Sequence, residues 1–395
     1  MPSVEQRATG RPGMKISVLG PTYPFRGGIS HYTTLLVQHL RERNEVQFVS
    51  FDKQYPRFLF PGRTQIDESQ RPFRTESERL LSFADPLSWR RSAARIVDFA
   101  PEAFVLSWVN PALALQFRYI SGYVRRHLPR TRIVFWCHNV VLHENVPFSR
   151  ALTRMALRRG DHFIVSYEEA RRDLLDLRPG SAVSVAHLPE LGVFHSDISS
   201  DEARRGLGFD EDARVALYFG FVRPYKGLMH LLRALPRVAR LVPGLRLLVV
   251  GESWGDAERY RAEVERLGIE DLVTMVDRYV PNEEVSLYFE AADLVVLPYE
   301  TASGSGIIQI AYSFAKPVVT TLVGALSEVV EDGKTGFLVP PCDPQALADA
   351  IAGFFQSGRP DDFARNIERF RTRFSWDSFI EVLDGLLKRD LGSDP

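Results

Sequence analysis

Short apolar runs rich in β-branched residues alternate with stretches of helical period along almost the whole chain. The first run, KISVLG at 15–20, is followed by apolar positions recurring every three or four residues from Ile29 to Leu40. That pairing of a short apolar run with a 3.6-residue period predicts a strand and then an amphipathic helix. Further strands are predicted over 46–51, 103–108, 132–137, 162–166 and 182–187, with helical patterns between several of them. The segment 188–200, LPELGVFHSDISS, breaks the alternation with turn formers and is the candidate linker. Beyond it the pattern restarts, with strands predicted over 214–219, 246–251, 272–276, 293–298, 317–320 and 336–339 and helices over 227–240 and 256–267. The chain closes with amphipathic segments at 344–355, 361–373 and about 376–389. Repeated strand–helix alternation implies parallel α/β sheets, here two in succession. Solenoid repeats, low-complexity tracts and coiled-coil heptads are absent from the sequence.

A length of 395 residues exceeds the roughly 250–300 at which a single core stops growing, which agrees with two domains. The expected division is a leader over 1–13, an N-terminal domain over 14–190 and a C-terminal domain over 191–375, with a last helix at about 376–392 packing back on the first domain. Met14 is an alternative start. Hydrophobic residues at 45% and charged residues at 25% describe a globular chain. The leader lacks the apolar stretch of a signal peptide, and no run reaches the roughly 18 apolar residues of a membrane span, so a cytoplasmic location is expected. Cys137 and Cys342 are read as two reduced thiols, neither a nucleophile nor a metal ligand. The net charge of -1 conceals an asymmetry: residues 1–195 hold 27 Lys and Arg against 18 Asp and Glu, and the remainder holds 22 against 32. A basic first half fits phosphate ligands or peripheral contact with an anionic membrane at its inner face, as well as plain solvated charge. Arg150, Arg154, Arg158 and Arg159, interleaved with Leu152, Met155 and Leu157, mark the helix that could lie on such a surface. No nucleic-acid partner is expected.

Open parallel sheets bind ligands beyond the carboxyl ends of their strands, so the loops there carry the candidate chemistry. Gly27 and Gly28 follow the first strand and open a helix, where bare backbone N–H groups can approach a phosphate or sugar. It is not the G-x-G-x-x-G dinucleotide fingerprint, and neither half of the chain shows one, which disfavours a nicotinamide dehydrogenase. His138 ends the run RIVFWC in a position to present its ring to a ligand, whereas His143 with Glu144 lacks the continuation H-E-x-x-H and is read as structural. In YFGFVRPYKG, Arg223 and Lys226 are suited to neutralising a diphosphate, one as a planar fork and the other as a compact charge. In LPYETASGSGIIQIAYSFAKP, Ser303, Gly304, Ser305 and Gly306 place hydroxyls and open N–H groups at a helix start, a phosphate cradle without the P-loop lysine. Gly251 at the end of the 246–251 run joins these donor-side candidates. The one D-x-D pattern, Asp210 and Asp212, reads as loop charge, so no metal site is expected.

Taken in order, the pair Gly27-Gly28, His138, the RPYKG run and ALSEVVEDGKTGFLVPPCD at 325–343 make the chain resemble the retaining glycosyltransferases of family 4. The resemblance covers almost the whole chain. It implies the GT-B fold, two facing Rossmann-like doubly wound α/β domains with an interdomain cleft, and a metal-independent transfer from a nucleoside-diphosphate sugar to a carbohydrate or lipid-linked acceptor, with no cofactor. It also implies roles: Gly27 and Gly28 beside donor phosphates and acceptor, His138 on the donor sugar, Arg223 and Lys226 on the diphosphate. The chain departs from the family pattern at three places. Phe221 stands where an arginine is usual, Ser327 where proline is common, and Ala302 and Ile310 where two glutamates separated by seven residues are usual. Glu300 and Gln309 lie nearby and are the candidates for the missing sugar and ribose contacts. Two other functions fit such lobes, a nucleotide-sugar epimerase and a non-catalytic sugar-nucleotide-binding subunit of polysaccharide assembly.

Overall fold

The computed structural model describes residues 13–56, 62–141, 148–255 and 257–388. Most of the expected leader, the His143-Glu144 pair and the end of the expected last helix lie outside them. Two parallel sheets follow one another. The first contains β1 (Lys15–Leu19), β2 (Glu45–Lys53), β3 (Glu78–Ser82), β4 (Ala103–Trp108), β5 (Arg132–Cys137), β6 (His162–Val165) and β7 (Ala182–Val185), in the order β3-β2-β1-β4-β5-β6-β7. The second contains β8 (Arg214–Phe219), β9 (Leu245–Val250), β10 (Val273–Val276), β11 (Leu294–Leu297), β12 (Val318–Thr321) and β13 (Gly336–Val339), in the order β10-β9-β8-β11-β12-β13. This is the two-lobed doubly wound architecture that the alternation implied.

The central strands are apolar throughout because helices cover both faces. All six residues of β4 are buried, and it pairs with β5 from Ala103 opposite Arg132 to Trp108 opposite Cys137. Edge strand β3 falls outside the strands read from sequence. It is only half-buried and meets β2 through a shifted register near Phe51, so its apolar signal is weak. The outer face of each sheet has its own core, one around Trp108, Phe117 and Phe135 and the other around Leu231, Leu235 and Leu247. A third core is shared: it runs from Ile16 and Tyr32 through Leu191 and Phe194 to Leu217 and Phe289. The inner faces of the two lobes therefore pack as one apolar body.

Polar contacts also cross between the lobes. Tyr167 at the start of the Glu168–Leu177 helix has no side-chain cap of its own to offer. The Glu328 carboxylate supplies one, accepting from Glu168 N at 3.0 Å and Glu169 N at 3.3 Å, where a negative charge suits the helix dipole. The Trp376–Lys388 helix packs against the Gly28–Arg41 helix, with Trp376 stacked on His39 at 5.0 Å between centroids.

The helix carrying Arg150 and Arg154 limits how that surface can act. Leu157 is fully buried and Leu152 and Met155 pack on the outer core of the first sheet, so its apolar residues face the protein. Its arginines remain outward, together with Phe148 at its N-terminal end, which is 82% exposed. Among the described residues no helix is long and apolar enough to cross a membrane.

Candidate functional site

Both sheets reverse their strand order next to their first strand, β1 beside β4 and β8 beside β11, and the carboxyl ends at those points face a common cavity of about 360 Å³. Such switch points are where open α/β sheets bind ligands. Gly27 and Gly28 after β1, Lys226 after β8, Gly251 after β9 and Ser303 through Gly306 after β11 all line it. Sequence positions 27 and 306 thus face one space. Two helices start at it: Gly28–Arg41, preceded by Gly27 at φ 110° with no side-chain cap, and Gly306–Ser313, capped by the Ser305 hydroxyl on Ile307 N.

Two glycines are there for want of room. A Cβ on Gly251, whose φ is 143°, would lie 2.1 Å from the Gly220 carbonyl oxygen. A Cβ on Gly304 would lie 2.2 Å from the Tyr167 ring of the opposite lobe. Tyr167 is buried, so Gly304→Ala is expected to hold the lobes apart and to lower kcat/KM by about tenfold or more, the effect of roughly 1–3 kcal/mol of overpacking. Shortening the ring in Gly304→Ala/Tyr167→Leu should recover part of that loss; a double variant no better than the single one overturns the account.

The cavity holds one cation with no carboxylate within 4 Å among the described residues, Lys226. Burial lowers the pKa of its ammonium, Tyr225 opposes that shift and Arg223 adds to it. Its Nζ sits 5.2 Å from the Tyr299 ring centroid. A desolvated cation beside two helix starts is an electrostatic demand for an anion. The other charges lining the space are already engaged: Arg278 bonds Glu284, and Glu252 accepts from Arg26 at 2.6 Å and from the Arg63 backbone.

Four residues singled out from the sequence lie off this cavity. Arg223 precedes the Pro224–Lys226 turn in extended backbone and places its guanidinium over Trp254, 3.9 Å from the ring centroid. Glu300 Oε1 accepts from the His230 ring Nε2 at 2.9 Å. Gln309 is fully buried because it points from the opposite side of its helix to Ile307 and Ile310, which do line the cavity. Its two amide atoms are buried without a partner among the described residues. His138 opens instead on an adjoining hollow of about 240 Å³ with Tyr167, Glu169, Asp173 and Ser303, and Ser303 lines both spaces.

His31, absent from the sequence candidates, lines the main cavity one turn into the Gly28–Arg41 helix. Its ring packs edge-on to Phe73 and Phe194, and its Nε2 is buried with no partner among the described residues, leaving a polar atom for a ligand. Its position three residues after Gly28 is the signal that was available. Tyr279 and Glu252 were likewise unannounced, since nothing local to them distinguishes a wall from a core.

Both site histidines are held neutral. Burial lowers His31 to about 4 against a smaller opposing pull from Asp67, and lowers His138, bonded to Ser107 Oγ at 3.0 Å, to about 3. Unfolded imidazoles take up protons below about 6.5, whereas these do so only near 4 and 3. Between those values the unfolded chain binds more protons, so stability is full above pH 6.5 and drains as pH falls. The melting temperature should decline from pH 6.5 toward 4, and His138→Asn should flatten that decline; a variant with the same pH slope as the parent contradicts it.

Comparison with known proteins finds likenesses to sugar-transferring proteins. Residues 199–370, which span the second sheet, match the family model of glycosyl transferases group 1. D-inositol 3-phosphate glycosyltransferase of Segniliparus rotundus is 36% identical over 202 residues, covering 50% of this chain and 44% of that protein. The protein of the same name from Corynebacterium glutamicum is 29% identical over 291 residues, covering 67% and 68%. The chain thus spans about half the length of the first of these relatives. Among solved structures, sucrose-phosphate synthase from Thermosynechococcus elongatus superposes with a TM-score of 0.72 at 20% identity, over 94% of this chain and 98% of that one. Anabaena HepE in complex with UDP-glucose gives 0.70 at 20% identity, over 94% and 99%. These likenesses make the fold GT-B.

Proposed function

We propose that the chain is a retaining glycosyltransferase of the family 4 type, moving a sugar from a nucleoside-diphosphate sugar to an acceptor hydroxyl in glycan or glycolipid synthesis. Residues 14–190 form the acceptor lobe in this reading and 191–375 the donor lobe. The observation that carries it is Lys226, a buried cation with no carboxylate within 4 Å among the described residues, facing the starts of two helices in a cavity between the lobes. The diphosphate lies there, with Lys226 and the Gly306 helix start stabilising the charge that develops on the leaving phosphate, so positive side chains do what a metal does elsewhere. The Anabaena neighbour binds UDP-glucose, which makes uridine diphosphate sugars the first donors to try.

Glu252 is the one carboxylate among the described lining residues, and it is committed to Arg26. Among the described lining residues no free carboxylate is offered as a nucleophile, which favours substitution on one face, the departing phosphate taking the acceptor proton. His138, held neutral, orients groups by hydrogen bonding without carrying charge. The hollow beside it is the acceptor space. Its described lining has Glu169 and Asp173 and neither Lys nor Arg, and burial together with Asp173 raises the Glu169 pKa. That lining favours an acceptor without a phosphate, unlike the inositol phosphate in the relatives' names.

The deciding experiment incubates the protein with UDP-glucose and other nucleoside-diphosphate sugars, first alone and then with a panel of inositol, inositol 3-phosphate, sugar and lipid-linked acceptors. Transfer to an unphosphorylated acceptor with the anomeric configuration kept supports the proposal. An isomerised donor in the absence of acceptor makes the chain an epimerase and overturns it.

A further inference from the structure

Outside the cavity, three loops at the carboxyl ends of the second sheet bring together side chains that are far apart in sequence. His230 stands in the first turn of the helix Leu228–Leu241, with its backbone N–H bonded to Gly227 O at 2.9 Å. Glu300 follows β11, pinned by its own N–H to Tyr225 O at 2.7 Å. Cys342 follows β13 and precedes Asp343, whose carboxylate caps the next helix on Gln345 and Ala346 N–H. One ligand atom from each, imidazole Nε2 or Nδ1, carboxylate O and Sγ, lies within 4.8 Å of the others. Cys342 has a φ of 58°, the left-handed region that is uncommon outside glycine, so the chain bears a backbone cost to place this thiol. All three backbones are fixed by hydrogen bonds or a cap, and the group lies half-buried to exposed, open to solvent on one side.

We propose that His230, Glu300 and Cys342 form a binding site for a divalent metal ion of the zinc class, with solvent completing its coordination. One nitrogen, one oxygen and one sulfur ligand is a borderline-soft set that suits Zn²⁺, whereas Mg²⁺ and Ca²⁺ take oxygen ligands. The thiol gives its proton to solvent as the metal–sulfur bond forms, and no electron changes hands. None of the three residues lines the donor cavity, so the ion is not the reacting centre. It ties the loops after β8, β11 and β13 to one another, and the first two of these carry Lys226 and Ser303 through Gly306. The ion is therefore a staple beside the anion site, and the cysteine read from sequence as an idle thiol becomes its softest ligand.

The two cysteines make a direct test, because Cys137 is buried and Cys342 is exposed. In the full chain stripped with a chelator, alkylation by a thiol reagent reports Cys342 alone, and reaction of a second thiol reveals unfolding. Added Zn²⁺ is expected to slow that alkylation by at least about tenfold, and His230→Gln, which leaves the thiol in place, should abolish the protection. Cobalt(II) titration should give a thiolate-to-metal absorption band in the parent and none in Cys342→Ser. Equal alkylation with and without Zn²⁺, or protection that persists in His230→Gln, overturns the site. Neither outcome bears on sugar transfer, which is measured separately.

Discussion

Lys226→Ala is expected to lower turnover by about 10²–10³-fold, the loss seen when one preorganised group that stabilises developing negative charge is removed. Its effect on the melting temperature should be small. Burial already works against the ammonium, lowering its pKa, and among the described residues no carboxylate within 4 Å is left unpaired by its removal. The two readouts together separate a charge that acts on the substrate from one that holds the fold. Lys226→Arg should recover little, since a planar fork on a different stem does not place a point charge at the same spot. Steady-state rates and thermal melts on the same preparations decide it: turnover unchanged by the alanine variant removes Lys226 from the proposed mechanism.

Arg26→Ala should weaken donor binding by at least about tenfold, through closure of the lobes rather than through contact with the donor. Arg26 comes from the loop after β1 and Glu252 from the loop after β9, and their ion pair is 2.6 Å long with side chains only 1% and 2% exposed. The guanidinium also lies over the rings of Phe221 and Tyr279. Breaking such a pair by removing one partner costs about 3–5 kcal/mol because the other charge stays buried. Here Glu252 has an escape, for parting the lobes returns it to water. The penalty then falls mostly on the closed arrangement, and the melting temperature moves less than donor affinity. In Arg26→Met/Glu252→Gln neither charge of the pair remains, and the amide oxygen still accepts from Arg63 N–H, so most of the affinity should return. Calorimetric titration with UDP measures both; a double variant as weak as Arg26→Ala shows that the pair does not govern closure.

These two residues show how unequally the site could be read from sequence. Lys226 was legible because a cation between Pro224 and a glycine, at a strand-to-helix turn, has few structural uses. Arg26 stands among the residues of a loop that was singled out for its glycines, and nothing local announces that its partner lies 226 positions away. Arg223 shows the converse. Its spacing from Lys226 suggested a shared diphosphate, and its guanidinium stands over the Trp254 ring from the loop after β9, off the cavity that Lys226 lines. His31 and Gln309 differ only in which side of a helix they occupy, and a side acquires meaning only when something packs opposite it.

The sequence by itself determined the two parallel sheets apart from edge strand β3, their order along the chain and several of the loops that line the cavity. Those features are written in local periodicity: apolar strands, amphipathic crossovers, and glycines and cations at the turns between them, each a property of a few adjacent residues. Tertiary structure alone decided which of those loops meet, that Tyr167 leaves no room for a Cβ at residue 304, that Glu252 is spoken for, and that His230, Glu300 and Cys342 share one point. Such facts depend on contacts between residues tens to hundreds of positions apart. No local pattern encodes them, because the same turn or helix face can be assembled against many different neighbours.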